Sequence, residues 1–331
     1  MISETMYTVG TGAVFGAALT ASRVHLPSVI INQLRLTDFH MMHVFAAALG
    51  SSAAVMFVLE KLNIIRRPIR PSCSLGIFSE YDGNLIGGAM VGVGMSLSGA
   101  CPGTVLVQLA QGIPSGRAAA LGALLGGVAY VKWRQTLKKG SGASNEKAKA
   151  SKRTISEVSK TPEEVLYTIL GLGVVGLIAL TRPEGNVPPN LPVLGGLSIG
   201  LAQAASLLLT TFPLGVSTAY EELGQYIVRA LGDKDVALPS WPPRSTIFAL
   251  GLIGGSMAFS TQVASSSLVG PDLQIPSWQA LAGGFIMSFG ARIAGGCTSG
   301  HGLSGLGALS FSSLIAVAGM FSAGILVRQV M

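Results

Sequence analysis

Residues 87–101 read GGAMVGVGMSLSGAC, and residues 283–297 read GGFIMSFGARIAGGC. The second stretch follows the first by 196 positions without a gap. Gly87, Gly88, Gly94, Gly99 and Cys101 fall on Gly283, Gly284, Gly290, Gly295 and Cys297. The chain has only three cysteines, so two of them sharing one internal register mark a duplication. Repeated helical units in a hydrophobic chain build a shared site where the two copies meet.

The sequence around these stretches is that of a membrane protein. Hydrophobic residues make up 49% of the chain and charged residues 11%, against about 25% charged in a soluble globular protein. Nine apolar stretches are candidates to cross a bilayer: residues 7–22, 39–59, 84–97, 118–133, 165–180, 191–211, 247–260, 278–293 and 310–327. Several are shorter than the ~20 residues usual for a span. The N-terminus lacks a basic leader before its apolar run, so no cleavable signal peptide is expected. Three cysteines without a CxxC pair argue against a disulfide scaffold and a zinc cluster. No metal or other cofactor is expected.

The net charge of +7 does not indicate a nucleic-acid partner, because of where the charges lie. In a nine-span arrangement, the connections 61–82, 132–163 and 212–246 share one side and hold sixteen of the 22 basic residues. Arg23, Arg35, Arg117, Arg182 and Arg328 fall on the other side, and Arg292 lies inside a span. Basic residues collect on the cytoplasmic side, which puts the N-terminus in the cytoplasm; a multi-pass protein, of the plasma membrane, is expected.

Residues 138–160, rich in Lys, Ser, Gly and Ala, read as a mobile linker between two halves. Gly12 and Gly16 in the first span match Gly196 and Gly200 in the sixth, so spans one to four pair with six to nine. An offset of five spans is odd, so the halves run in opposite directions. The expected fold is therefore an all-α integral membrane protein of about nine transmembrane helices in two inverted repeats. Residues 1–135 form the first repeat, 136–163 a basic cytoplasmic linker, 164–181 a connecting span and 191–331 the second repeat. GxxxG spacings such as Gly122/Gly126 and Gly251/Gly255 suit close helix packing.

After Cys101 comes Pro102-Gly103-Thr104, and after Cys297 comes Thr298-Ser299-Gly300-His301-Gly302. The apolar runs that follow, 105–110 and 303–309, are too short to cross a bilayer. Each reads as a re-entrant hairpin with one short helix, and irregular backbone at that depth must be buried or line a polar path. Pro102 suits the first turn of such a helix. A helix N-terminus aimed inward offers N–H groups to an anion, with Thr104, Thr298 and Ser299 as hydroxyl donors. Arg292 is placed to attract an anion or to bond hairpin carbonyls. The thiols of Cys101 and Cys297 are weak, polarizable donors that can hold a soft sulfur atom without trapping it.

The motifs SGACPGT (98–104) and GGCTSGHGLSG (295–305) resemble the YeeE/YedE family of sulfur transporters, whose characterised members take up thiosulfate. The resemblance extends over both halves and is weakest in the linker and the fifth span. It implies an hourglass of inverted repeats and a thiosulfate anion passed between cysteine thiols, with Cys101 and Cys297 matching the two central family cysteines. Gly99, Gly103, Gly295 and Gly296 belong to the same motifs. A cytoplasmic sulfurtransferase that consumes the anion is implied by family analogy alone. One family cysteine, just after the first span, is absent: residues 22–28 read SRVHLPS. Cys73 does not replace it by position and reads as an unpaired loop thiol.

A second reading is a membrane-embedded sulfur-transfer enzyme with a cysteine nucleophile. His301, four residues after Cys297, would be its base, although Val105 stands at the equivalent place in the first repeat. A third reading is a sealed scaffold that moves nothing. Asp38, His40 and His43 have a spacing that a metal can use, and read as a polar cap on the second span. Glu221 and Glu222 read as part of a solvated connection.

Overall fold

The computed structural model describes residues 2–140, 151–181, 190–262 and 273–331. Among these the chain is helical, with a single isolated antiparallel bridge between Thr154 and Ser310. Nine long helices follow the apolar stretches: α1 (Ile2–Ala21), α3 (His40–Lys61), α4 (Asp82–Ser98), α6 (Pro114–Gly140), α8 (Glu163–Leu180), α9 (Leu191–Thr210), α11 (Arg244–Gln262), α12 (Ser277–Ile293) and α13 (Phe311–Val330). Between them lie the short α2 (Pro27–Arg35), α5 (Thr104–Ala110), α7 (Ile155–Ser159) and α10 (Ser217–Ala230), and a π-helical segment, Thr298–Gly305.

Four helices, α3, α8, α9 and α13, are individually long and apolar enough to cross a membrane. Helix α12 with the π-helical segment, bent by 44°, makes a fifth. The remaining long helices are richer in glycine and polar residues or carry more charge, which lowers their hydropathy. Helix α8 has no buried residue, and its Val165, Ile169, Leu172 and Val175 point outward. Such an apolar exterior suits lipid as the solvent.

The aligned glycines explain how α4 and α12 pack. A methyl on Gly87 would stand 2.6 Å from the Gly290 carbonyl oxygen, and one on Gly283 would stand 2.7 Å from that of Gly94. Early residues of each helix face late residues of the other, so equivalent helices of the two halves cross antiparallel at their duplicated glycines. Without side chains the backbones approach to near contact, which small residues permit in lipid.

The other close pairs run parallel. Gly12 meets Phe248 and Gly255 meets Ala13 across α1 and α11, while Gly196 meets Val44 and Gly200 meets Ser51 across α9 and α3. Gly88 and Gly92 meet Ala316 and Met320 across α4 and α13, while Gly122 and Gly126 meet Leu281 and Phe285 across α6 and α12. Exchanging the halves turns the α1–α11 pair into α9–α3 and the α4–α13 pair into α12–α6. Helix α8 is antiparallel to α3, tied by Lys61–Glu164 at 2.8 Å and Arg67–Glu163 at 2.6 Å at one end and by His43 Nε2 to Thr181 Oγ1 at 2.7 Å at the other. The start of α9 lies against the end of α1 through Gly195 and Ser22. Directions therefore alternate among α1, α3, α8, α9 and α11, and α4 and α13 run opposite to α6 and α12.

Two expectations are revised. The basic stretch is not free throughout: α6 continues to Gly140, and residues 151–159 are anchored. Ile155 N–H donates to Leu309 O at 2.7 Å, Ser72 N–H to Ser151 O at 2.8 Å, and Thr154 caps α7 through a capping box with Glu157. Residues 141–150 of that expectation lie outside the described residues. Glu221 and Glu222 are buried on α10 rather than solvated. His40 and His43 go to different partners, His40 Nε2 lying 2.8 Å from Ser22 O.

Candidate functional site

Both halves break their third long helix at the same aligned glycine. Helix α4 ends on Gly99 at φ +59°, and α12 ends before Gly295 at φ +79°, left-handed values that L side chains rarely adopt. The chain then turns inward, and Cys101 and Cys297 follow two residues later, both buried.

At the first turn, Cys101 N–H donates to Thr104 Oγ1 at 2.7 Å. The Thr104 hydroxyl lies 3.3 Å from both Cys101 Sγ and Cys101 O, and Thr104 N–H lies 3.4 Å from Cys101 Sγ. Pro102 precedes the first helical residue by two positions, just outside the expected first turn, and its carbonyl accepts the Tyr220 hydroxyl at 2.7 Å. Val105 N–H is bonded to Cys101 O at 3.0 Å. The first N–H groups of α5 are thus satisfied within its own turn, not held open. Gln108 seals the far end, donating to Gly99 O at 2.9 Å and to His25 O at 2.8 Å.

The second turn is built differently. The short helical element is Thr298–Gly305, earlier than the expected run 303–309, and it is π-helical. Glycines at 300, 302 and 305 leave this wide turn free of crowding from side chains. Cys297 Sγ lies 3.3 Å from Ser299 Oγ, and the backbone N–H groups of Gly300, Val216 and Ser217 lie near the same sulfur. Two of these donors come from the segment leading into α10, which lies between the two turns. Gly103 is within reach of Cys101 Sγ and Val216, so Val216 links the two cysteine neighbourhoods.

A cavity of about 50 Å³ joins the turns. Cys101, Gly103 and Thr104 line it from one side and Thr298, Ser299 and Leu303 from the other, with Phe15, Leu19, Val24 and Phe45 as apolar walls. Val24 comes from the segment that lacks the family cysteine. A second cavity of about 540 Å³ lies at the N-terminal ends of α1 and α11, with Arg70, Gly215, Ser217, Thr218 and Gly300 along its wall. Gly296 also borders the Arg70 guanidinium: a methyl there would sit 3.3 Å from Nη1.

His301 is fully buried, with Nδ1 2.8 Å from Ser313 Oγ and Nε2 2.9 Å from Ala294 O. The carbonyl can only accept, so Nε2 carries the proton and Nδ1 takes the Ser313 hydroxyl. Both ring nitrogens are engaged, leaving no free base for a thiol. Arg292 pairs with Glu221, donates to Thr218 Oγ1 at 3.2 Å and stacks over Tyr130. Glu221 also takes Arg134 at 3.1 Å. The Arg292 charge is met there, away from the hairpin carbonyls.

Sequence reasoning missed Arg70, Val216, Tyr220 and Gln108. The first lies in a basic loop without periodicity, and the next two in a connection that looked solvated. Gln108 alone had a signal, as a glutamine inside a short apolar run. Cys73 is also more than a loop thiol: a methyl on Gly295 would meet its sulfur at 2.7 Å.

A family model described as sulphur transport matches residues 21–327. The chain is 25% identical to the thiosulfate transporter TsuA of Spirochaeta thermophila over 92% of both chains. It is 30% identical over 127 residues to a probable transporter of Xylella fastidiosa, an alignment covering 38% of this chain and 83% of that protein. Another Xylella fastidiosa probable transporter is 29% identical over the same shares. These two relatives are less than half as long as this chain. An all-helical chain with apolar outer faces, glycine-broken helices around two buried thiols and a family match over nearly its whole length belongs to the sulphur transport family of membrane proteins.

Proposed function

We propose that the chain imports thiosulfate or a related sulfur-containing anion along a path lined by Cys101 and Cys297. The observation that carries this is a small cavity shared by the two broken turns, with Cys101 and Thr104 facing Thr298 and Ser299 beside Cys297. A thiol, three hydroxyls and apolar walls suit a soft sulfur end that must enter and leave. The name of the Spirochaeta relative supports the substrate class.

The alternating helices support nine crossings, and the exchange-symmetric packing with antiparallel α4 and α12 supports two inverted repeats, 1–135 and 191–331. Relatives of less than half the length fit a unit present once in them and twice here. In that arrangement the Cys101 turn enters from the side opposite the N-terminus and the Cys297 turn from the basic, cytoplasmic side. Helix α8, with no buried residue, is the connecting span. The plasma membrane is the expected location, and a cytoplasmic sulfurtransferase is the class of enzyme that would use the imported anion. The engaged ring nitrogens of His301 weigh against a sulfur-transfer enzyme with that base.

Uptake of radiolabelled thiosulfate into proteoliposomes tests this. Uptake above empty vesicles, competed by unlabelled thiosulfate, is expected. Its absence, with the protein folded and inserted, contradicts the reading.

A further inference from the structure

We propose that Arg70 is the anion-receiving residue on the basic side of the Cys297 turn, binding the oxyanion end of a small divalent sulfur oxyanion. The inference rests on the transport reading for its substrate class, but its site is argued from this chain's own geometry.

Arg70 lies between α3 and α4, where the backbone is clamped in place. Its N–H donates to Ser310 Oγ at 3.1 Å, and its carbonyl accepts from Ser310 Oγ at 3.1 Å and Ser312 Oγ at 2.9 Å. The guanidinium lies across the turn that holds Cys297. Nη1 donates to Gly295 O at 3.1 Å, and a methyl on Gly300 would stand 3.0 Å from Nη2. Glycine on both sides of Cys297 therefore gives the cation its place.

Charge bookkeeping separates Arg70 from its neighbours. Arg67 pairs with Glu60 and Glu163, Arg134 and Arg292 with Glu221, and Arg244 with Glu4. Among the described residues, the ion pairs include no carboxylate for Arg70. A cation drawn away from water without a counter-charge is costly, and a passing anion supplies that charge. The planar guanidinium fork fits oxyanions in a bidentate way. It faces the cavity of about 540 Å³, where Ser217 and Thr218 add hydroxyls and Lys152 stands further out. The anion would thus leave the Cys297 sulfur for a fixed positive charge before reaching water.

The test compares Arg70→Gln, which can still donate to Gly295 O, with Arg70→Lys, which keeps the charge. Arg134→Gln is the control. Two readouts are taken in wild type and variants: thiosulfate uptake into proteoliposomes, and thermal stabilisation in detergent by sodium thiosulfate over sodium chloride at matched ionic strength. Arg70→Gln is expected to raise the half-saturating thiosulfate concentration by about tenfold or more, the size of one lost charge-assisted hydrogen bond, and to abolish the stabilisation. Arg70→Lys is expected to retain most of both, and Arg134→Gln to resemble wild type. Wild-type behaviour of Arg70→Gln in both readouts overturns the inference while transport stands. Equal loss in the Gln and Lys variants, with lower stability in chloride alone, also overturns it, because the role is then structural. Stabilisation that depends on Arg70 without any wild-type uptake keeps the anion site and contradicts transport.

Discussion

The two cysteine turns occupy equivalent places, yet they are wired in opposite ways. Cys101 is held by its own turn, with Thr104 supplying the N–H and hydroxyl beside the sulfur. Cys297 bonds Ser299 within its own turn, and its sulfur also lies near the N–H groups of Val216 and Ser217 from outside that turn. Both turns line the small cavity walled by Leu19, Val24 and Phe15, whereas the second also borders Arg70 and the large cavity. The two turns share a backbone break at a positive-φ glycine, yet Arg70 borders only the second. A sulfur oxyanion has a soft end and a charged end, which gives this asymmetry a direction.

The largest expected effect tests what the turns share. Gly99→Ala and Gly295→Ala each force a side chain into a left-handed corner and into a contact of 2.6–2.7 Å, with Ile275 Cδ1 and Cys73 Sγ respectively. Each should lose about 2–4 kcal/mol of stability, read as thermal unfolding in detergent. A tolerated alanine at either corner would break the equivalence.

Next comes the residue that differs most, His301 against Val105. His301→Val makes the second turn resemble the first and strands Ser313 Oγ and Ala294 O. A loss of about 1–3 kcal/mol is expected, with the pH profile of Cys297 maleimide labelling unchanged. An altered profile would instead make His301 a base for the thiol.

Thr104→Val and Ser299→Ala sharpen the wiring difference. Thr104→Val removes the cap on Cys101 N–H and should cost about 1 kcal/mol. Ser299→Ala, which removes one of several donors around Cys297, should cost less, and the reverse order in thermal unfolding would contradict the contrast. The smallest effect belongs to Tyr220→Phe, which loses one hydrogen bond to Pro102 O. About 0.6 kcal/mol is expected from such bonds in membrane helices, and a much larger loss would mean that α10 locks both turns.

How much of this was legible in the sequence follows from the range of each interaction. The 196-residue offset carried the α4–α12 crossing, because glycines aligned by duplication are the residues at which those helices touch. Apolar runs located the nine long helices, since hydropathy is a local property. The second short helix starts before the apolar run 303–309, because a π-turn accommodates the glycines and serines that precede that run. Arg292 drew attention by lying in a span, but its Glu221 partner is 71 positions away and looked solvated. Arg70 sits beside Gly295 across 225 positions, and nothing in a loop between two spans signals such a pairing.

The most direct test is thiosulfate uptake by proteoliposomes containing wild type, Cys101→Ala or Cys297→Ala, each checked for folding by thermal unfolding. A path lined by both thiols requires uptake in wild type and its loss in each single variant. Undiminished uptake by either folded variant would remove that thiol from the path.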